Sequence, residues 1–431
     1  MTKGFFQLTF LIIFIVGAIF GILVFSGTIK LGSDGSKATG TVVVWGTIKA
    51  AAMAAPLEDF NNTHPDFVVR YVEKSAQSFD QDLLEALASG TGPDMFFLPD
   101  NLAYHYSNKI FPIPYTSYAL NTFNSTFSGA GNVFLTSNGI LAFPMMVDPL
   151  VMYYNRSLLD AGAVVYPPKV WDDLLALAPT LTKKDDSQKI TQSAVALGHY
   201  TNVTNAKDIL VALFMQLGNP ILAEEGGVLH SALDSTNSKY DLSTVLSFYT
   251  DFANPAKSVY SWNKSFPNSS DAFSAEELAI YFGFASELQS LVNKNPNQNF
   301  FAAPLPQVKG ATTKLTSARV TGLAISSATK NLNTAFTAAS LMATTEFAGK
   351  LATALSVAPA RLDLLAAKPA KDAYAPIFYD SALYARSWMD PSPSATNAIF
   401  RNMVDQVLSN SLTPRDAITD ASAKLDLLLV K

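Results

Sequence analysis

Residues 41–47, TVVVWGT, and residues 49–63, KAAAMAAPLEDFNNT, decide the fold. The first is a short β-branched run of the kind buried in a parallel sheet, and the second carries apolar residues at helical spacing. Together they make a strand followed by a helix. His64-Pro65 stops the helix, and FVVRYV (67–72) reads as a second strand. Residues 78–89 form a second amphipathic helix with Phe79, Leu83, Leu84 and Leu87 on one face. GTGPD (90–94) then turns the chain into a third strand at 95–98. Repeated strand-then-helix order predicts an α/β body with mainly parallel sheets flanked by helices. Ligands of such sheets sit beyond the carboxyl ends of the strands. That rule selects Thr47 and Lys49 after the first strand and Asp100 and Asn101 after the third.

Further along, residues 139–144 and 150–155 read as two strands flanking MVDP within 145–149. WDDLLALAPTL (171–181) is a helix introduced by Tyr166-Pro-Pro, and residues 194–198 are a short apolar strand. Residues 209–217, 242–254 and 275–283 continue as helices or helix–strand transitions. From Asn331 the text is helical and rich in alanine, broken by Pro359, Pro369, Pro376, Pro391 and Pro393.

A chain of 431 residues exceeds one ordinary core, which implies two or three domains. Hydrophobic residues at 49% and charged residues at 15% describe a globular body. A net charge of −5 offers no basic face for nucleic acid. Cysteine is absent, which removes disulfides, thiolate nucleophiles and the cysteine-linked lipid anchor. His64, His105, His199 and His230 form no HxxxH or HxH pair, so neither a metal site nor a cofactor is expected. No GxSxG elbow occurs, and the pairs Asp185-Asp186 and Glu224-Glu225 read as solvated surface rather than acid–base machinery.

Residues 5–25, FFQLTFLIIFIVGAIFGILVF, are almost unbroken apolar text. About 21 helical residues reach about 30 Å, the thickness of the hydrocarbon core. A transmembrane anchor that stays uncleaved, or alternatively a signal segment, is expected at 5–26, after a tail at 1–4 and before a flexible linker at 27–40. The body would then sit on the extracytoplasmic side of a single-pass membrane protein.

Several segments resemble, in order, the family 1 extracellular solute-binding proteins, the group that includes the maltose-binding protein. They are TVVVWGT (41–47), LEALASGTGPDMFFLP (84–99), LAFPMMVDPL…LAPTLT (141–182), FYTDFANPAKSVYSW (248–262), AFSAEELAIYFGFASEL (272–288), AAPLPQ (302–307) and TGLAISSATKNLNTAFTAAS…ARLDLL (321–365). The resemblance implies a two-lobed periplasmic-binding-protein-like fold of the class II type. It implies a first lobe of 41–147 and 284–345 and a second of 148–283 and 346–431. Chain crossings would lie near 147–151 and 281–285. It also implies capture of a small polar ligand, a sugar, by a monomer that closes its lobes and delivers the ligand to an ABC transporter permease, with no catalysis; the rival readings are a membrane-anchored secreted hydrolase and a non-transport scaffold or adhesion module on the same fold.

On that resemblance the ligand residues centre on Asp148 at the crossing, an acceptor of sugar hydroxyls or alternatively a hinge or cap carboxylate. Asn101 and Asp100 are polar cleft residues or an Asx turn. Trp45 divides between packing and contact, and Thr47 and Lys49 between cleft and surface. Tyr200 and Asn202 follow the second-lobe strand. Phe284 and Ser286 follow the second crossing, and Trp388 and Asn397 lie where relatives carry aromatic platforms. Aromatic faces suit sugars because C–H faces are apolar while the hydroxyl rim takes directed hydrogen bonds. Trp171 and Trp262 are expected to pack. The scarcity of other tryptophans argues against a long maltodextrin.

Overall fold

The computed structural model describes residues 38–234 and 241–430. The apolar segment at 5–26 and most of the linker lie outside these residues. Among the described residues no helix is long and apolar enough to cross a membrane.

The opening follows the expected order: β1 (Gly40–Gly46), α1 (Ala50–Thr63), β2 (Phe67–Glu73), α2 (Phe79–Ser89) and β3 (Met95–Pro99). The GTGPD turn works through two residues. Gly90 closes α2 at φ 71, a left-handed backbone that glycine adopts without strain. Asp94 accepts the Val43 amide at 2.9 Å and the Thr329 hydroxyl at 2.5 Å, tying β1 to the turn after the returning strand.

The two strands expected at 139–144 and 150–155 are corrected to one long strand over most of that range, β4 (Ala142–Asn155). Then come α3 (Asp173–Leu181), β5 (Ile190–Val195), α4 (Ala206–Gln216), α5 (Leu242–Asp251), β6 (Leu278–Phe284) and β7 (Phe300–Ala303). The chain ends with β8 (Thr316–Ile325), α6 (Leu332–Met342), α7 (Thr345–Leu355), α8 (Pro393–Leu408) and α9 (Pro414–Leu429).

An 11-stranded sheet runs in the order β2-β1-β3-β8-β4-β6-β5 and ends at Lys183–Lys184. Its flanks are parallel, β1 with β2 and β3, and β6 with β5. Its middle is antiparallel, β8 with β3 and β4, and β4 with β6. The sheet is therefore mixed rather than mainly parallel. A strand that leaves one lobe and a strand that returns to it must run in opposite directions where they pair, and β4 and β8 are that pair.

Two hydrophobic cores lie at either end of this sheet. One gathers Val42, Phe96, Phe143 and Val147 with Val320, Leu323, Phe347 and Leu351. The other gathers Leu150, Tyr153, Trp171, Phe214 and Trp262 with Phe284, Phe300, Phe400 and Leu425. The chain passes between them inside β4. Residues 142–149 pair with β8 and 150–154 with β6, and Pro149, which has no N–H to give, sits where the partner changes.

The second crossing is not at 281–285. All seven residues of β6 are buried, six of them in the second core, and the chain stays there through Leu305. It returns along β8, whose Thr316 hydroxyl donates to the Leu150 carbonyl at 2.6 Å. A third passage follows Ala385–Arg386, paired to the start of β8, and leads into α8. Phe347, Leu351, Ala382 and Ala385 pack in the first core, whereas the sequence places 346–431 in the second lobe. Both β6 and β8 end in apolar text, and side-chain period alone does not say which of the two strands crosses.

A candidate ligand cleft at the three crossings

The crossings form the floor of a cavity of about 720 Å³. Each supplies a polar or aromatic side chain: Asp148 from β4, Arg319 from β8 and Trp388 from the third passage. Thr47, Asp100 and Asn101 line it from the first lobe, and Lys207, Asp208 and Ser286 from the second. Lys207, Asp208 and Arg319 also border an adjoining cavity of about 400 Å³ that reaches Tyr200, Asn397 and Arg401.

Asp148 accepts two hydrogen bonds from Ser286, from the backbone N–H at 2.8 Å and the hydroxyl at 2.6 Å. Burial pushes its carboxyl up to about 6, against the pull of those two donors and of Arg319. Asp100 is likewise pushed up to about 6 by burial, opposed by the Ser387 hydroxyl, the Val320 and Asn101 amides and Arg319. The Ser387 hydroxyl thus joins the first lobe to the third passage. Asp208, in the first turn of α4, is raised by burial and held down by Arg319 and Lys207.

Arg319 lies opposite Asp148 in the β4–β8 register. Its guanidinium rests 3.7 Å from the centre of the Phe284 ring, a cation–π contact. It donates to Asn205 Oδ1 at 3.3 Å and comes within 3.8 Å of Asp208. Asn205 precedes α4 in a left-handed conformation, φ 62. Its amide donates to Glu287 at 2.7 Å, and Glu287 also accepts the Tyr281 hydroxyl and the Phe284 amide. Lys207 is committed elsewhere, to Asp390 at 2.7 Å.

Of the residues selected from sequence, Asp148, Asn101, Asp100, Thr47, Ser286 and Trp388 line the main cavity, and Tyr200 and Asn397 the adjoining one. Tyr200 donates to Asn397 Oδ1 at 2.6 Å, so those two are already joined. Four lie elsewhere. Lys49 points to solvent and pairs with Glu73 at 3.0 Å, because it starts α1 on the outer side of the turn. Trp45 packs on the first core beneath the Lys74 ammonium, 3.6 Å from its ring centre. Asn202 is spent on structure: its amide donates to the Asn263 and Phe266 carbonyls and its oxygen accepts the Trp262 indole N–H. Phe284 is fully buried and meets the site only as the surface on which Arg319 lies.

Sequence reasoning missed Arg319, Lys207, Asp208 and Asn205. Arg319 had a legible signal, a lone charge in the strand text TSARVTGLAI. Trp171 and Trp262 are buried, and their indole N–H groups are satisfied by Gln216 and Asn202.

A family model described as bacterial extracellular solute-binding protein matches residues 45–348. The chain belongs to this family. Solved structures similar to this solute-binding protein include a cyclo/maltodextrin-binding protein complexed with maltotetraose, at 17% identity and a TM-score of 0.72, covering 91% of this chain and 98% of that one. A cyclic α-maltosyl-1,6-maltose binding protein from Arthrobacter globiformis matches at 14% identity and a TM-score of 0.74, covering 90% and 98%. The sugar-binding protein MalE from Xanthomonas citri matches at 16% and 0.72, covering 90% and 97%. At these identities the likeness is one of fold. Comparison with curated proteins gives no match in sequence. Within the fold of this solute-binding protein, the candidate cleft lies where the three passages between the cores meet.

Proposed function

We propose that the protein captures a small hydroxyl-rich ligand, a sugar, by closing its two lobes over the cleft, and delivers it to the permease of an ABC importer on the extracytoplasmic face. The observation that carries this reading is the cleft itself. A cavity of about 720 Å³, within the roughly 300–1,000 Å³ of small-molecule sites, is walled by both lobes and floored by the strands that join them. Ligand contacts to both walls favour the closed arrangement by the difference in affinity between the two states. Asp100, Asp148, Asn101 and Ser286 supply directed hydrogen bonds, and Trp388 supplies an apolar face. The relatives complexed with maltotetraose and with mannotriose support a sugar. A single tryptophan in the lining favours a mono- or short oligosaccharide. No chemistry is assigned to the cleft, and the protein acts as a monomer held at the membrane by residues 5–26.

Isothermal titration calorimetry with maltotetraose, mannotriose and D-tagatose tests the reading. Micromolar affinity for one of them, with a smaller radius of gyration in solution scattering, is expected. No heat from these or from a wider panel of sugars and polyols overturns it.

A further inference from the structure

The charges that line the main cavity are unequal. Asp100, Asp148, Asp208 and Asp390 face Lys207 and Arg319. Lys207 and Asp390 cancel each other at 2.7 Å, both largely buried. What remains is three carboxylates around one guanidinium. Glu287 lies behind Asn205, and Arg401 borders the adjoining cavity.

A guanidinium is a ready receptor for carboxylate or phosphate, because its planar fork matches two oxygens at once. The surroundings of Arg319 oppose that use. Its plane is fixed against Phe284, its edge is shared between Asn205 and Asp208, and Asp148 stands across the strand pair. An anionic ligand group would enter a cavity that already holds an excess of two negative charges when every carboxylate is ionised. A hydroxyl carries no charge to be repelled, and one guanidinium N–H outside the edge held by Asn205 and Asp208 is enough for it. It donates to a carboxylate and accepts from the guanidinium, so a pair of adjacent hydroxyls satisfies both.

We infer that Arg319 is the specificity-determining residue of the cleft: its stacked guanidinium receives neutral vicinal diols between its own donors and the carboxylates of Asp148 and Asp208, and the cleft turns away ligands bearing an anionic group. This rests on the capture reading and narrows it to uncharged polyhydroxy ligands. Arg319 has a second effect that needs no ligand. It opposes the burial that raises Asp100, Asp148 and Asp208, and so favours their ionised, acceptor form.

The test compares the full-length protein with R319Q and R319K. Calorimetry uses maltotetraose, mannotriose and D-tagatose as neutral probes and D-glucuronate, D-galacturonate and glucose 6-phosphate as anionic ones. Carbon-13 NMR of labelled aspartate carboxyls follows titration without ligand, with the Asp148 signal assigned through D148N. The neutral probes are expected to bind the wild type at least about tenfold more tightly than the anionic ones. R319Q should lose at least about tenfold for the neutral probes and move the Asp148 titration to higher pH. R319K should restore the titration but not the affinity, since a compact ammonium has no fork. Tighter binding of an anionic probe by the wild type overturns the inference while sustaining capture. An unshifted titration in R319Q overturns it too. If no probe binds, the capture of sugars fails and the inferred selectivity for neutral diols fails with it, while the titration still decides the electrostatic role of Arg319.

Discussion

Ser286 holds both carboxylate oxygens of Asp148, one with its amide and one with its hydroxyl, and so ties the long crossing strand to the turn that follows β6. Asp148 is thereby fixed in orientation and still presents oxygen lone pairs to the cleft, because a carboxylate offers about four acceptor positions. The candidate site owes its geometry to such pairs. Asp100 with Ser387 is a second, and Asn205 between Glu287 and Arg319 is a third.

Replacing Asp148 with asparagine removes the charge and half of the acceptors without changing the shape. Charge-assisted hydrogen bonds contribute about 1.5–3 kcal/mol each. The expected result is a loss of about tenfold or more in sugar affinity with the fold retained, read by calorimetry and circular dichroism. Unchanged affinity removes Asp148 from the site.

The pH dependence has opposite signs for binding and stability. Asp100 and Asp148 are raised to about 6 from an ordinary 3.8, so the native state holds protons that the unfolded state has released between those values. Their contribution to stability is fully present below about 3.8 and is lost as pH rises through about 6. Ligand affinity should fall as pH drops through about 6, because a protonated carboxyl loses acceptor capacity. Melting temperature and dissociation constant measured from pH 4 to 8 check both signs.

Asn205 adopts the left-handed backbone with φ 62 and bridges Glu287 to Arg319. N205G keeps the backbone and loses the bridge, whereas N205A loses the bridge and strains the backbone by about 1–2 kcal/mol. Urea unfolding should rank N205A below N205G and both below the wild type. Equal stability of the two variants contradicts the conformational argument.

Asn202 and Lys49 separate structure from contact. N202A strips the partners from the Trp262 indole and from the 263–266 loop, with an expected cost of about 1–3 kcal/mol in unfolding. Its sugar affinity at low temperature should be unchanged. K49A should alter neither quantity by more than about 0.5 kcal/mol, because its pair with Glu73 is solvent-exposed. A large affinity loss in K49A places the Lys49 side chain in the cleft beside Thr47.

The sequence by itself determined the alternation of strand and helix from Thr41 to Leu98, the turn at GTGPD, the importance of the Met146–Pro149 stretch and the burial of Trp171 and Trp262. Each is a local property, carried by side-chain period, by the φ demanded of Gly90 or by the missing N–H of proline. Only the tertiary structure decided which strand returns between the lobes, since side-chain period marks β6 and β8 equally as strands and their pairing with β4 joins residues more than 120 positions apart in the chain. It also decided the charge environment of the cleft. Arg319, Asp208, Asp148 and Asp100 are scattered over 220 positions of the chain, and electrostatic coupling depends on distance in space, which no local pattern encodes.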